Sequence, residues 1–176
     1  MTFNTTSLPL ARALKRKTVL EREPIKPFPG VIPIRTLLVT PEIDALLDGH
    51  IEGGLFPDYS ADRLIAAYTA GWLMTVSRKK TNKKPSLEML EGYDDVWALC
   101  ARTPKPGWRL LGRFYDKDLF VASRAWDKNA LARNYPSAAA EVIGDWKELF
   151  GSQQPHRSKS VGDYLGGVFR DVDEAE

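Results

Sequence analysis

The sequence predicts an α+β fold in which a small antiparallel sheet of three to four strands packs against helices on one of its faces. Two segments, 58–77 and 135–151, carry apolar residues at helical spacing. A third, 107–128, consists of two alternating apolar runs separated by a polar turn, as in a β-hairpin. The composition, 43% hydrophobic and 27% charged over 176 residues, is sufficient for one hydrophobic core.

The ends of the chain differ in composition from its middle. Prolines at positions 24, 27 and 29 fix the backbone and cannot donate hydrogen bonds, which favours an extended path. Alternatively, this segment packs on the domain through Ile25 and Phe28. We expect an extended proline-rich arm at 1–30, a single α+β domain at 31–151, and a polar C-terminal tail that can include a short helix at 152–176.

The first part of the domain is expected to form a strand and two helices. The β-branched run VIPIRTLLVT at 31–40 predicts a strand. A short helix follows from Pro41, because Thr40 is a suitable N-cap and proline is favoured at the first helical position; Gly53-Gly54 would end this segment. The second helix is predicted over 58–77.

The second part of the domain begins with a basic loop at 78–85 that is rich in helix-breaking residues. One or two helical turns are expected at 87–92, and a short strand is expected at 94–102. The hairpin follows. The last helix covers 135–151, with Ser137 as its N-cap and a glycine after its final turn.

The hairpin is predicted to have one apolar face and one face that carries arginines. With a two-residue turn at 116–117, Arg109 lies opposite Arg124 and Arg113 lies opposite Phe120. Two arginines that face each other repel, so an acid from elsewhere in the fold or an anionic ligand should lie between them. Glu88, Glu91 or a helix acid is the internal candidate. The arginine face would hold Arg109, Arg113, Tyr115, Phe120, Arg124 and Trp126.

The charge is unevenly distributed along the chain. Residues 78–133 hold 13 Lys and Arg against 7 Asp and Glu, whereas residues 134–176 hold 4 against 8. A basic centre favours an anionic partner, and nucleic acid is the first candidate; the alternative is a surface that these side chains only solvate. The loop lysines expected to contact phosphates are Lys79, Lys80, Lys83 and Lys84.

Several classes of function are not expected. Cys100 is the only cysteine, and His50 and His156 are far apart, so neither a disulfide nor a Cys/His zinc site is predicted. We expect no metal and no cofactor. No apolar run approaches the ~18 residues of a membrane span, and the N-terminus lacks the order of a secretory signal. A cytoplasmic protein without membrane contact is therefore expected.

Between 87 and 150 the chain has a leucine, a glycine and a W-x-L strand, then an aromatic-Arg pair at the start of the hairpin and a lysine after it. These positions are Leu90, Gly92, Trp97, Leu99, Trp108, Arg109 and Lys128. Their order resembles the RelE/HigB-like toxin superfamily of mRNA interferases, and the upstream strand and helices resemble that family's β-α-α start.

The resemblance implies cleavage of mRNA without metal, often on the ribosome, and a cognate antitoxin as protein partner. In such a ribonuclease, Arg109 and Arg113 would stabilise charge on the scissile phosphate. Tyr115 or Lys128 would act as the general base or acid. Flanking bases would stack on Phe120 and Trp126, with Arg124 and the loop lysines on the phosphates.

Three functional hypotheses follow. The first is a toxin-type endoribonuclease acting on RNA. The second is a non-catalytic protein, phage- or mobile-element-encoded, that uses this domain and its N-terminal arm to bind a protein or a nucleic acid. The third is a structural or assembly component. Arginines exposed on the hairpin without nearby acids would favour the first hypothesis, and arginines already paired within the fold would favour the second.

Overall fold

The computed structural model of the chain describes residues 7–49 and 58–174, with side chains from residue 60 onward in the second range. In these two ranges eight strands form one sheet: β1 Leu20–Glu21, β2 Thr36–Val39, β3 Met74–Ser77, β4 Leu87–Met89, β5 Trp97–Ala101, β6 Trp108–Asp116, β7 Leu119–Asp127 and β8 Phe169–Asp171. The helices are α1 Leu8–Lys15, α2 Pro41–Leu47, α3 Asp58–Thr69, α4 Lys128–Ala132 and α5 Tyr135–Phe150, with a 3-10 turn at Val161–Asp163.

The sheet is larger than predicted and is mixed. Its strand order is β1-β2-β7-β6-β5-β4-β3-β8. The four central strands β4 to β7 form an antiparallel meander, while β2 pairs with β7, and β3 with β4 and β8, in parallel. The α+β class is therefore correct, but the small antiparallel sheet of three to four strands is wrong. The added strands have two to four residues each, too short to show a period.

Helices cover both faces of the sheet rather than one. Along β6, Leu110 and Phe114 belong to a core cluster that includes residues of α2 and α3. The alternating residues Leu111 and Tyr115 lie in clusters with α1, α4 and α5 on the opposite face. Because both faces are covered, β6 is buried along almost its whole length. None of the helices in the described ranges is long and apolar enough to cross a membrane.

Two of the predicted helical segments differ from the structure. The helix predicted over 58–77 ends at Thr69, and Gly71 then takes a left-handed φ of 73° before β3 begins. The segment 87–92, predicted to be helical, contains β4. By contrast, α2 begins at Pro41 with Thr40 as its N-cap, as predicted. The glycines expected to end that segment, at 53–54, lie outside the described residues.

The N-terminal segment packs on the domain. Within the predicted extended arm, α1 places Leu10 and Ala13 against Trp146 of α5 in one buried cluster. Further along, the Phe28 ring stacks on Trp72, with ring centroids 3.8 Å apart and planes 7° from parallel. This segment therefore contributes to the core on one face of the sheet and to an aromatic contact beside β3.

Candidate nucleic-acid interface

The β6–β7 hairpin turns one residue later than predicted. Its turn residues are Lys117 and Asp118, and Asp118 has a left-handed φ of 61°. Arg109 therefore lies opposite Trp126, and the predicted cross-strand pair of Arg109 with Arg124 is wrong. Moving the turn by one residue changes each cross-strand partner by two residues, which by itself leaves the faces unchanged. A first irregularity, between Phe114 and Asp116, takes one residue back, and this net one-residue shift moves the side chains of the adjoining part of β7 to the other face.

Phe120 shows the consequence of this shift. Val121, not Phe120, lies opposite Arg113, so the second predicted cross-strand pair is also wrong. Phe120 points into the apolar core, where it is fully buried and its ring centroid is 5.0 Å from that of Phe114. It cannot stack on a base in this position.

A β-bulge later in β7 reverses the shift. The register changes between Leu111, which pairs with Arg124, and Gly112, which pairs with Ala122, so that Ser123 is the extra residue. Beyond this bulge, Arg124 lies on the same face as Arg109, as the sequence predicted. The predicted arginine face is therefore present along β6 and at the end of β7. In the part of β7 between the turn and the bulge, the residues predicted for this face lie on the other one.

Each of the three arginines on this face is paired with a carboxylate of the chain. The pairs are Arg109 Nε with Glu88 Oε1 at 3.2 Å, Arg113 Nη2 with Asp94 Oδ2 at 2.8 Å, and Arg124 Nε with Asp145 Oδ2 at 2.6 Å. Arg109 and Arg113 are each only 3% exposed. The negative charges beside these arginines therefore come from acids elsewhere in the fold, which was one of the two alternatives considered, and not from an anionic ligand.

Arg113 lies in a larger network of charges. Its guanidinium is 5.7 Å from the Trp146 ring centroid, and its partner Asp94 also pairs with Arg157 at 2.5 Å. Partial burial acts to raise the pKa of Asp94, but hydrogen bonds and the positive charges of Arg157 and Arg113 outweigh it. The pKa of Asp94 is therefore held below its usual value.

This pKa shift predicts a pH-dependent stability. A carboxyl group whose pKa is lowered by folding stabilises the protein above its unfolded pKa of ~4, and loses that contribution as the pH falls through the folded value. We expect Asp94→Asn to lower the urea midpoint at pH 7 and to have a progressively smaller effect below pH ~4. Asparagine also tolerates the left-handed φ of 52° at this position.

The control for Asp94→Asn is Glu23→Gln, which changes an exposed carboxylate that has no ion pair in the described part of the chain. It should leave the midpoint nearly unchanged at every pH. A penalty for Asp94→Asn that is the same at pH 7 and at pH 3 would contradict the assignment.

The predicted aromatic and general-base residues of the hairpin are largely enclosed. Tyr115 is 9% exposed, packs against Trp146 and Phe150 of α5, and shares a hydrogen bond with the Ser7 hydroxyl. Trp126 is half-buried against the cluster beneath α4 and α5. These side chains therefore serve the packing of helices on the sheet.

Five of the predicted site residues come together in a cleft beside β4, of about 550 Å³, which we call the basic cleft. This volume lies within the ~300–1,000 Å³ of ordinary ligand pockets. The basic cleft is lined by Lys79, Lys80, Thr81, Asn82, Lys84, Glu88, Met89, Leu90, Glu91, Tyr93, Arg102, Arg109, Lys128 and Tyr135.

The loop that supplies three of these lysines is held by the C-terminal segment. The Arg78 N–H donates to Asp173 Oδ2 at 2.7 Å, and Lys83 Nζ donates to the Val172 carbonyl oxygen at 2.7 Å. Lys83, predicted to contact phosphate, is therefore engaged with the C-terminal segment. Lys128 reaches the cleft from the start of α4, whose N-cap is Asp127.

The basic cleft is strongly positive. It has six basic side chains against two acidic ones, and Glu88 is itself shared between Arg109 at 3.2 Å and Arg102 at 3.6 Å. Four exposed lysines have no carboxylate within ion-pair distance among the residues the structure describes: Lys79, Lys80, Lys84 and Lys128. Their ammonium groups are available to an anion.

Two tyrosines complete the basic cleft, and the sequence reasoning did not identify them. The Tyr93 and Tyr135 rings are 20° from parallel, with centroids 6.3 Å apart. Burial raises the pKa of Tyr135, and the Glu88 carboxylate adds to this, so its hydroxyl is neutral at physiological pH. What could have indicated them is their place in the sequence. Tyr93 follows the basic loop and β4, and Tyr135 begins α5 shortly after Lys128.

The remaining predicted residue, Arg124, faces a different cleft between α2, β7 and α5, where it is held by Asp145. Within residues 7–49 and 58–174, no group of three His, Cys, Asp or Glu side chains is placed to hold a metal ion. His50, considered at the sequence level, lies outside these ranges.

Comparison with known proteins finds no protein-family model, no curated protein and no solved structure that matches this chain.

Proposed function

We propose that this protein binds single-stranded RNA through the basic cleft without cleaving it. The observation that carries the proposal is the set of four unpaired, exposed lysines around two nearly parallel tyrosine rings in one concave site. Ammonium groups attract the phosphate backbone, and tyrosine rings stack on bases.

A single strand is favoured over a duplex. Tyr93 and Tyr135 line the wall of a cleft, and a base reaches such a wall only when it is unstacked from its neighbours. The bases of a duplex are stacked and paired, so their faces are covered. In addition, Tyr135 is the first residue of the sixteen-residue helix α5, whose positive end favours a nearby phosphate.

Binding without cleavage is favoured by the state of the arginines. Arg109 and Arg113 are buried in ion pairs, so a phosphate would have to displace a carboxylate to use either of them. Tyr115 is enclosed by α5. The non-catalytic hypothesis therefore has more support than cleavage, and a cytoplasmic location fits an RNA ligand. A protein partner such as an antitoxin remains a prediction.

Fluorescence anisotropy with a labelled 12-nucleotide RNA tests the proposal. The variant Lys79→Ala/Lys80→Ala should bind more weakly, and its plot of log K against log salt should be less steep by about 1.4, which is about 0.7 for each lost phosphate contact. The matched control is Lys15→Ala/Lys117→Ala, which removes the same charge from exposed lysines outside the basic cleft. It should keep the wild-type slope.

Two results would contradict the proposal. One is wild-type protein that binds no RNA at low salt, and the other is an equal loss of affinity in the two double variants. Gel analysis of the same mixtures detects cleavage. Products formed by the wild type would contradict binding without cleavage and would support the endoribonuclease hypothesis instead.

A further inference from the structure

The basic cleft contains one carboxylate that its arginines do not neutralise. Glu88 is engaged by Arg102 and Arg109, whereas Glu91 has no Lys or Arg side chain within 4 Å among the described residues. Glu91 is exposed, and its Oε2 accepts a hydrogen bond from the Lys80 backbone N–H at 3.0 Å. A negative charge without a cationic partner weakens a phosphate site, but an exposed carboxylate can also accept hydrogen bonds from a ligand.

The fold holds Glu91 next to one of the stacking rings. Leu90 to Tyr93 form a turn that is closed by the Tyr93 N–H, which donates to the Leu90 carbonyl oxygen at 3.1 Å. Gly92 takes a φ of 84° at the third position of this turn, as in a type II turn. The turn therefore holds the backbone of Glu91 and Tyr93 two residues apart, and both residues line the basic cleft.

We infer that the basic cleft selects guanine, with the base stacked on the tyrosine pair and the Glu91 carboxylate accepting hydrogen bonds from its N1–H and 2-amino groups. This inference rests on the proposed RNA binding. A carboxylate is an acceptor only, with two oxygens that receive parallel N–H donors. Guanine alone among the four bases presents two adjacent N–H donors on its Watson–Crick edge.

The other bases fit the carboxylate less well. Adenine and cytosine each present one amino group beside a ring-nitrogen acceptor, and uracil presents one N–H between two carbonyl oxygens. In each of these bases an acceptor would face a Glu91 oxygen and repel it. The same carboxylate that attracts guanine therefore discriminates against its competitors.

A purely structural role for Glu91 makes a different prediction. In that case its hydrogen bond from the Lys80 N–H would only fix the loop 78–85, and the base identity would not matter. Glu91→Gln separates the two roles, because a glutamine carbonyl oxygen still accepts from the Lys80 N–H. Glutamine cannot accept two parallel donors, because its amide NH₂ replaces one of the acceptor oxygens.

The test is anisotropy with four 12-nucleotide RNAs: all uridine, and the same strand with one central guanosine, adenosine or inosine. Inosine keeps N1–H but lacks the 2-amino group. The wild type should bind the guanosine strand about tenfold more tightly than the adenosine strand, with inosine in between. Glu91→Gln should bind guanosine and adenosine strands within about twofold of each other, while the control Glu148→Gln keeps the preference.

The outcomes of this test separate the two proposals. If the wild type binds the uridine strand but does not distinguish guanosine, inosine and adenosine, guanine selection is overturned and RNA binding stands. An unchanged guanosine preference in Glu91→Gln also overturns it. If the wild type binds none of the four strands, both proposals fail. The wild-type comparison of guanosine with inosine needs no variant, so it remains decisive if Glu91→Gln does not fold.

Discussion

Replacing Arg35 with methionine is expected to lower the free energy of unfolding by about 3–5 kcal/mol. Arg35 is only 1% exposed, and it lies one residue before β2. Its nearest carboxylate, on Asp118, is 4.0 Å away. The guanidinium is thus one of the largest fully buried groups in the described part of the chain, and its role is to satisfy backbone oxygens.

Arg35 donates to four carbonyl oxygens from three parts of the fold. Two come from the end of α3 and the turn after it, Tyr68 at 3.3 Å and Trp72 at 3.1 Å. Two come from the C-terminal segment: Gly166, with contacts at 2.9 Å and 2.7 Å, and Val168 at 3.0 Å. Methionine fills a similar volume but leaves these oxygens without donors, and each unsatisfied buried group costs about 1–3 kcal/mol.

Chemical denaturation of the full chain measures this effect, and Arg133→Met provides a matched control. Arg133 is exposed at the end of α4, so its replacement should change stability by less than about 0.5 kcal/mol. An Arg35→Met variant within 1 kcal/mol of the wild type would show that water or a shifted backbone satisfies the four oxygens. It would also mean that the hydrogen bonds from Arg35 to Gly166 and Val168 contribute little to holding the C-terminal segment in place.

The sequence was informative where an element is long enough to show its period. The helix α5 and the hairpin were predicted from spacing, because sixteen or eighteen residues repeat a pattern several times, and the start of α2 was predicted from its cap. The N-cap of α5 is Asn134, however, so the predicted cap Ser137 is wrong and lies inside the helix. The segment 70–77 is different. Its apolar residues continue the spacing of α3, but a short turn at 70–73, with a left-handed Gly71, separates the helix from β3. Residues 74–77 form a strand because they pair with β4 and β8, which are distant in sequence.

The candidate site was predictable in its charges but not in its geometry. The loop lysines were identified from composition and Lys128 from the family resemblance. Three of the four loop lysines and Lys128 line one cleft, whereas Lys83 contacts the C-terminal segment. The partners of the hairpin arginines depend on acids 19 to 21 residues away in sequence, at Asp94, Glu88 and Asp145, whose positions follow from the whole sheet. Nothing in a single strand reveals such pairing, and a bulge moves whole side-chain sets between faces.

The bulge depends on Gly112, and replacing this glycine is the second change for which we predict a large loss of stability. Gly112 lies in the middle of β6, between β5 and β7. A Cβ atom at this position would be 1.8 Å from the Val121 carbonyl oxygen and 2.8 Å from the Ala122 Cα. Both atoms belong to the backbone of a central strand, so neither can rotate away as the end of a side chain could. Only a glycine fits where the two strands approach so closely.

We expect Gly112→Ala to destabilise the protein by about 3 kcal/mol or more, because relieving the overlap requires β7 to move away from β6 and breaks ladder hydrogen bonds on both sides of the bulge.

Gly144→Ala is the matched control. Gly144 is an exposed glycine within α5, where an added Cβ meets nothing within 4 Å. It should stabilise the protein by about 0.5–1 kcal/mol through helix propensity. Urea denaturation of both variants measures the contrast, and a Gly112→Ala variant as stable as the wild type would mean that the bulge tolerates a wider spacing than the structure shows.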